Sequence, residues 1–301
     1  NIRPTWTFAF TRMIGYTYYM QNLLPSTTQI GAVHLYASQP ASLATFYQHT
    51  LGMDLLGEAG ETLLLGVSGR PLLGIHPASQ PRFSGRHTGL YHLAVVYPSR
   101  LSLARAFRRL VNLRSTLQGA SDHGVSEAIY LTDPEGNGLE LYYDRPPGEW
   151  PRTANGSVQM FTNPLDLEDL LSEDNAATSR PHVDPHIRVG HVHIHVAALT
   201  DSIHFYKNII GFDVTQQYGE SAAFVSAGGY HHHLAMNTWL GVGAPRPPQG
   251  SPGLAWFEII GVPLTALRHR LEVMGWNFEE FPPGGLFTRD PSGNGVALLG
   301  E

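Results

Sequence analysis

Three ionisable side chains interrupt apolar runs of this chain, where a polar or charged group needs a specific partner. His92 lies in the run LYHLAVVY, His191 lies in VGHVHIHV, and Glu140 lies between two leucines in NGLELYY. All three runs have the length and composition of β-strands. A carboxylate in the middle of an apolar strand costs free energy unless it pairs with a cation or binds a metal. These residue types therefore indicate a metal site, provided that the strands bring them together.

Two imidazoles and one carboxylate form a 2-His-1-carboxylate triad, which binds divalent iron and leaves coordination positions open. We therefore predict that His92, Glu140 and His191 hold Fe(II), with Mn(II) as the alternative metal. The chain has no cysteine, which excludes thiolate ligands, disulfides and cysteine nucleophiles. A rival set consists of His34, His92 and Glu140. His34 lies two residues after Ala32, the position in the first repeat that corresponds to His92, so its side chain is expected on the same face of the strand.

The elements that carry these residues belong to a repeated unit. Each of four copies begins with a β-run and continues as a helical stretch; the likeness is plain between SLATFYQHTLGMDLL, from Ser42, and SIHFYKNIIGFDVT, from Ser202. The second and fourth copies contain near-identical turns, DPEGNG from Asp133 and DPSGNG from Asp290. Asp-Pro followed by Asn-Gly is typical of hairpin turns, because Asn and Gly tolerate a positive φ. Each copy is therefore predicted to be a βαβββ module.

A single βαβββ module cannot bury both faces of its sheet, so the modules must pair. We predict an α+β fold in which four modules form two half-barrel domains. The predicted divisions are an N-terminal extension (1–26), module 1 (27–85), metal-bearing module 2 (86–147), a linker (148–187), metal-bearing module 3 (188–240) and module 4 (252–301). Only the second and third modules together supply both histidines and the glutamate. We therefore expect those two to pair, and the first and fourth to form a metal-free domain.

Composition argues against several classes of partner. The formal net charge is −6 and no basic stripe is visible, so neither nucleic acid nor an anionic membrane surface is expected as a partner. No apolar run approaches the length that spans a bilayer. The absence of cysteine fits a cytoplasmic location. Exposed strand edges make a homo-oligomer a reasonable expectation.

These motifs together resemble a known family. The chain is similar to the type I extradiol ring-cleavage dioxygenases of the vicinal oxygen chelate superfamily, which also contains glyoxalase and bleomycin-resistance proteins. In particular it resembles the bacterial catechol 2,3-dioxygenases, which are built from four βαβββ modules. The resemblance runs from about residue 27 to the end, and its most specific segments are TGLYHLAVVYPSR, DHGVSEAIYLTDPEGNGLELYYDRP, GHVHIHV and FVSAGGYHHHLAMNTW. It implies the vicinal oxygen chelate fold.

The resemblance also implies roles for six residues. His92 and His191 match the iron-binding histidines of the family, and Glu140 matches the glutamate that follows the DPxGN turn. The remaining matches are the acid/base histidine, the substrate-contacting histidine of HGVS and the tyrosine before the DPxGN turn, namely His232 (with His233 as the alternate), His123 and Tyr130. One departure is plain: in the well-known members the metal ligands come from the third and fourth modules, whereas here they come from the second and third.

The implied activity is that of a non-haem Fe(II)-dependent extradiol dioxygenase in the catabolism of aromatic compounds. Its substrates would be O2 and a small aromatic diol, catechol or a substituted catechol, which is cleaved to a semialdehyde acid. Two other functions stay open. One is a glyoxalase-like isomerase or lyase that holds Zn or Ni with a fourth ligand from His231–His233. The other is a non-catalytic protein that binds small aromatic molecules.

Overall fold

The computed structural model describes residues 24–174 and 183–300. Nearly all of the predicted extension over residues 1–26 lies outside the described residues, as does the part 175–182 of the predicted linker. Within the described ranges no helix is long and apolar enough to cross a membrane. The chain folds into strands and helices in the order that the four predicted repeats require.

The first two repeats each form one strand, one helix and three more strands. The elements of the first repeat are β1 (Gln29–Ala37), α1 (Pro40–Leu51), β2 (Asp54–Ala59), β3 (Thr62–Val67) and β4 (Arg70–Pro77). Those of the second are β5 (Gly89–Tyr97), α2 (Arg100–Asn112), β6 (Leu117–Asp122), β7 (Ser126–Thr132) and β8 (Gly138–Asp144). Helix α1 ends at Leu51, and the left-handed backbone of the next residue, Gly52 (φ 76°), caps it. Helix α2 begins after Ser99, whose hydroxyl accepts a hydrogen bond from the backbone N–H of Ser102.

The last two repeats follow a connecting segment that contains β9 (Asn163–Pro164) and α3 (Leu167–Ser172). The elements of the third repeat are β10 (Arg188–His195), α4 (Leu199–His204), a π-helical turn (Phe205–Ile210), β11 (Asp213–Tyr218), β12 (Ala222–Ser226) and β13 (Leu234–Asn237). Those of the fourth are β14 (Gly253–Ile260), α5 (Leu264–Val273), β15 (Phe278–Phe281), β16 (Gly285–Arg289) and β17 (Gly295–Leu299). Every repeat therefore has the βαβββ order.

Two sheets result, and each combines two repeats. The eight-stranded sheet has the order β15-β16-β17-β14-β1-β4-β3-β2 and contains the first and fourth repeats. The nine-stranded sheet has the order β11-β12-β13-β10-β5-β8-β7-β6-β9 and contains the second and third repeats. In each sheet the first strands of the two repeats pair antiparallel, β1 with β14 and β5 with β10. The short strand β9 comes from the connecting segment, which therefore joins the edge of the second sheet at β6.

Side chains alternate between the two faces of these central strands. On β5, Leu93 and Val95 are fully buried in the main hydrophobic core, which contains residues from both sheets. Ala94 lies on the opposite face, in a separate small apolar cluster. His92 shares the parity of Ala94, so the second face of the sheet carries the polar side chains. One face of the sheet thus packs in the main hydrophobic core, and the other face carries the candidate functional side chains.

Two buried tyrosine–aspartate hydrogen bonds connect the sheets. The Tyr47 hydroxyl of α1 donates to Asp133 Oδ2 (3.0 Å), and the Tyr206 hydroxyl of the π-helical turn donates to Asp290 Oδ2 (3.2 Å). Each tyrosine belongs to the repeated FY pair, and each aspartate begins a DPxGN turn. Asp133 also accepts hydrogen bonds from backbone and side-chain N–H groups of its own turn. The same tyrosine–aspartate contact occurs twice, which explains why both the FY pair and the DPxGN turn are repeated.

Replacing Tyr47 by phenylalanine is expected to lower the free energy of unfolding by about 1–3 kcal/mol, because a buried carboxylate loses one hydrogen bond. Thermal unfolding followed by circular dichroism measures the change. Tyr97→Phe is the matched control, since the buried Tyr97 hydroxyl has no hydrogen-bond partner among the described residues. Equal shifts of the two variants would contradict a stabilising role for the Tyr47–Asp133 contact.

Candidate metal centre and active-site cavity

The three predicted metal ligands lie on three adjacent strands of the nine-stranded sheet. Ala94 of β5 is paired with His191 of β10 on one side and with Glu140 of β8 on the other. His92 lies two residues before Ala94, on the same face. The strand register therefore places all three side chains on one face, around the small side chain of Ala94.

The three side chains converge on one point. His92 Nε2 lies 2.9 Å from Glu140 Oε2, and His191 Nε2 lies 3.1 Å from the same oxygen. The two Nε2 atoms are 3.3 Å apart. All three residues are buried, and within the described ranges they form the only group of three or more His, Asp or Glu residues whose ligand atoms lie within 4.8 Å of one another. A single cation can contact all three.

The charges of this group suit a divalent cation. Burial raises the pKa of Glu140, but the adjacent rings of His191 and His92 outweigh that effect and hold its pKa well below the ordinary value. Burial lowers the pKa of His191, so this imidazole is neutral at neutral pH. Metal ligands must be deprotonated, and ionised carboxylate with neutral imidazole satisfies that requirement. The donor set of two nitrogens and one oxygen fits iron.

A glycine allows the close packing behind His191. A Cβ atom at Gly190 would lie 1.8 Å from the hydroxyl oxygen of Tyr142. The His191 ring packs against the rings of Tyr142 (centroids 4.9 Å apart) and His232 (4.1 Å apart). His191 Nδ1 is buried and has no hydrogen-bond partner in the described part of the chain. Ring packing therefore orients this imidazole.

A cavity of about 570 Å³ opens on this group. Its walls include the six residues to which the family resemblance assigns roles, namely His92, His123, Tyr130, Glu140, His191 and His232. Tyr130 lies opposite Glu140 in the β7–β8 register, and burial together with the Glu140 charge raises its pKa well above the usual value. The structure therefore brings the six predicted residues to a single cavity.

His123 and Tyr130 form a hydrogen-bonded pair in the cavity wall. His123 Nδ1 donates to the carbonyl oxygen of Phe161 (2.7 Å), which leaves Nε2 as the acceptor. The Tyr130 hydroxyl lies 2.7 Å from that Nε2 and donates to it. The lone pairs of the Tyr130 oxygen thus stay available to a ligand in the cavity.

His232 and His233 have different environments. His232 lines the cavity beside His191. His233 lies outside the cavity lining, and its Nδ1 accepts a hydrogen bond from the backbone N–H of Ala227. Burial lowers the pKa of both histidines, that of His233 to about 3. Of the two alternatives that the sequence offers for proton transfer, His232 is the one that reaches the cavity.

The rival site with His34 is wrong. His34 lies in the eight-stranded sheet, where its Nδ1 contacts His76 Nε2 (2.9 Å) and its Nε2 contacts Glu258 Oε1 (3.3 Å). Its ring stacks on Trp256 with centroids 4.2 Å apart. Strand parity placed His34 on the correct face, but β1 pairs with β14 and not with β5. His34 is therefore on the other sheet from His92 and Glu140.

Several residues that line the cavity were not identified from the sequence. Met160, Phe161 and Thr162 of the predicted linker cover one side of the cavity. They are fixed to the third repeat, since the Tyr218 hydroxyl donates to the Met160 carbonyl (2.9 Å). Trp239, which is half-exposed, also lines the cavity. The linker segment lacks periodicity and repeats, so its role follows only from the tertiary structure.

Comparison with known proteins places the chain in a family. The model of the Glyoxalase/Bleomycin resistance protein/Dioxygenase superfamily matches residues 29–141 and 188–298, and the chain belongs to this superfamily. A curated relative, catechol-2,3-dioxygenase of Bacillus subtilis (strain 168), is 37% identical over 263 residues, which cover 84% of this chain and 90% of the relative.

Solved structures agree with the fold. A candidate dioxygenase from Bacillus subtilis matches with a TM-score of 0.63 at 14% identity, over 92% of this chain and 85% of that chain. Glyoxalase I from Zea mays matches with a TM-score of 0.56 at 14% identity, over 91% of this chain and 92% of that chain. At such identities the likeness concerns the fold alone. The predicted vicinal oxygen chelate fold, with paired βαβββ modules, is confirmed.

Proposed function

We propose that this protein is a non-haem Fe(II)-dependent extradiol dioxygenase, which cleaves the ring of catechol or a substituted catechol with O2. The observation that carries the proposal is the convergence of His92, Glu140 and His191 at the wall of a cavity that also exposes Tyr130 and His232. The 37% identity to a catechol-2,3-dioxygenase supports the same reaction. Mn(II) is the alternative metal, because it accepts the same donor set.

The reaction needs no external electron donor. Both atoms of O2 enter the product while the carbon–carbon bond beside the diol breaks, so that one carbon becomes a carboxylic acid and the other an aldehyde. When bound, a ferrous ion supplies the redox and Lewis-acid chemistry for this step. Among the described residues, Glu140 is the only carboxylate in the cavity wall, so an occupied site keeps a net positive charge that favours a deprotonated diol.

The residues of the chain would bind the diol and transfer protons. Tyr130, whose oxygen stays open to the cavity, would accept a hydrogen bond from a substrate hydroxyl while His123 fixes its orientation. His232 would accept a proton and return it later in the reaction, a role for which a neutral imidazole is suited. Met160 and Phe224 line the cavity as apolar side chains and reduce its access to water.

The test is anaerobic loading with Fe(II), followed by addition of catechol and air. We expect the uptake of one O2 per catechol and a yellow ring-opened semialdehyde. No O2 uptake with any diol would contradict the proposal and leave a non-catalytic aromatic-binding protein. Oxygen-independent isomerisation with bound Ni or Zn would favour a glyoxalase-like enzyme instead. That rival needs a fourth protein ligand, and the described residues add no fourth His, Asp or Glu to the group of three.

The cavity wall also predicts a preference among substituted catechols. The described residues contribute no Lys or Arg to it, whereas aromatic side chains line the cavity from its interior (Phe224) to half-exposed positions (Tyr91, Tyr218, Trp239). A carboxylate on the substrate would find no cation there, and an unpaired buried charge is costly. We expect kcat/KM for 4-ethylcatechol to exceed that for 3,4-dihydroxyphenylacetate by about 10–100-fold, since each factor of ten is about 1.4 kcal/mol.

Steady-state O2 uptake with the two substrates measures this ratio, because they differ mainly in the carboxylate. Gln118, an exposed residue of the cavity wall, offers a rescue variant. Gln118→Arg adds a cation and should reduce the ratio by raising kcat/KM for the acid. Equal kcat/KM values in the unaltered protein would contradict the predicted selection against charged substrates.

A further inference from the structure

A chain of hydrogen bonds extends from His232 away from the cavity. His232 Nδ1 lies 2.8 Å from His231 Nδ1, and His231 Nε2 lies 2.6 Å from Asp144 Oδ1. His231 is fully buried, while the Asp144 side chain is one-fifth exposed. Asp144 is the last residue of β8, the strand that also carries Glu140. The metal-ligand strand and the proposed proton-transfer residue are thus connected through His231.

The chemistry of the groups fixes the direction of each hydrogen bond. An ionised carboxylate only accepts, so His231 must donate from Nε2–H to Asp144. A neutral His231 then has its lone pair on Nδ1, where it accepts from His232. His232 must therefore carry its proton on Nδ1, and its lone pair is on Nε2. Nε2 is the nitrogen of His232 that has no hydrogen bond to other described residues, and the side chain lines the cavity.

We propose that Asp144 and His231 are positioning residues, which hold His232 in the tautomer that presents the Nε2 lone pair to the cavity. The catalytic consequence rests on the proposed function, because His232 would use that lone pair to accept a proton from the diol. The tautomer itself is a property of the folded chain. Asp144 and His231 do not line the cavity, so both act through His232.

Neighbouring residues form further contacts with Asp144 and His231. The Tyr230 hydroxyl donates to the other oxygen of Asp144 (2.8 Å), and the Tyr142 hydroxyl lies 2.7 Å from that of Tyr230. The carbonyl oxygen of His231 accepts from Thr215 Oγ1 (2.7 Å), and the Trp150 ring packs on the His231 ring with centroids 5.4 Å apart. Both oxygens of Asp144 and the backbone of His231 therefore have hydrogen-bond partners. Through the two hydrogen bonds that pass by His231, the carboxylate of Asp144 therefore determines which nitrogen of His232 carries the proton.

A substitution that keeps the size of the side chain should reverse the direction of the hydrogen bonds that link Asp144, His231 and His232. If its carbonyl oxygen keeps accepting from the Tyr230 hydroxyl, as Asp144 Oδ2 does, the amide of Asp144→Asn presents an N–H group to His231 Nε2, which then becomes the acceptor. His231 would carry its proton on Nδ1 and donate to His232 Nδ1, so that the proton of His232 moves to Nε2. The side chain facing the cavity would then be a donor in place of an acceptor, with no change in size.

Nitrogen-15 NMR of histidine-labelled protein loaded with Zn(II) reads these tautomers directly, since Zn(II) is diamagnetic. The signals of His232 are assigned by their loss in His232→Gln. We expect a protonated Nδ1 and an unprotonated Nε2 in the unaltered protein, and the reverse in Asp144→Asn. A protonated Nε2 of His232 in the unaltered protein, as a doubly protonated His231 would impose, overturns the proposal. An unchanged tautomer in Asp144→Asn overturns it too.

Kinetics of the Fe(II)-loaded protein test the consequence. Asp144→Asn should lower kcat by about 10²–10⁴-fold, the range seen when an acid/base histidine is misdirected, with KM for catechol and iron content little changed. Tyr230→Phe is the matched control, because it removes the hydrogen bonds of the Tyr230 hydroxyl to the other Asp144 oxygen and to Tyr142 but leaves the hydrogen bond between His231 and Asp144 in place. It should keep the tautomer and stay within a few-fold of the original kcat.

The NMR and kinetic results together distinguish a failure of the proposed dioxygenase function from a failure of the role proposed for Asp144 and His231. If the protein does not cleave catechols, the tautomers of His231 and His232 still decide whether Asp144 positions them. If the tautomer reverses in Asp144→Asn while kcat is unchanged, Asp144 positions His232 but the proposed catalytic consequence of the tautomer is wrong, although the dioxygenase function stands. A reversed tautomer together with a selective loss of kcat supports the proposal.

Discussion

Glu140→Ala is expected to abolish tight binding of Fe(II), and ring cleavage with it. The substitution removes the only anionic ligand of the group and leaves two buried imidazoles without their shared partner. Loss of hydrogen-bonding partners behind a ligand commonly costs 10–100-fold in metal affinity, so loss of a ligand should cost more than about 100-fold. Iron content after desalting and O2 uptake with catechol measure the two effects.

Glu258→Ala is the matched control for this prediction. Glu258 is also a strand carboxylate beside an imidazole, but it contacts His34 in the other sheet. We expect Glu258→Ala to retain iron and activity, with a small loss of stability at most. Circular dichroism of both variants shows whether each is folded. Normal iron content in Glu140→Ala would refute the ligand assignment.

His232→Gln is expected to lower kcat by about 10²–10⁴-fold while iron binding is retained, because a glutamine cannot take up a proton. His233→Gln is the matched control: the two residues are adjacent, yet only His232 lines the cavity. A glutamine oxygen at position 233 can still accept from the Ala227 N–H, as His233 Nδ1 does. Initial rates of product formation at saturating catechol compare the two variants. A larger loss in His233→Gln would reassign the proton-transfer role.

The convergence of the three proposed metal ligands could be predicted from the sequence because they lie on regular strands. Alternation of side chains fixes the face of His92, Glu140 and His191 once the repeats are aligned. The same reasoning placed His34 on an inward face but could not tell which sheet it joins. Parity is a local property, whereas strand pairing depends on the packing of all four repeats.

The hydrogen-bonded surroundings of the site were beyond prediction. His123 donates to the carbonyl of Phe161, and His231 donates to Asp144 across 87 residues of sequence. Such contacts depend on where irregular segments pass, and those segments have no period that reveals their position. The turn before β13 carries three adjacent histidines, but only the tertiary structure assigns each one a different partner.

Among the described residues, the eight-stranded sheet has no group of ligands equivalent to the triad, and the packing around His34 shows why. Gly74 is paired with His34 as Glu140 is paired with Ala94, so no carboxylate is present at that place. A Cβ atom at Gly74 would lie 2.2 Å from His34 Nδ1, because the histidine ring covers this glycine. Trp256 stacks on the other side of that ring. The space that holds the triad in one sheet is filled by packed rings in the other.

Anomalous X-ray scattering at the iron absorption edge, from crystals loaded anaerobically with Fe(II), tests the central claim most directly. We predict one dominant peak, bonded to Nε2 of His92, Nε2 of His191 and the carboxylate of Glu140. No peak between these atoms, or a dominant peak elsewhere such as beside His34 and His76, would contradict the assignment of the second and third repeats as the metal-binding half of the protein.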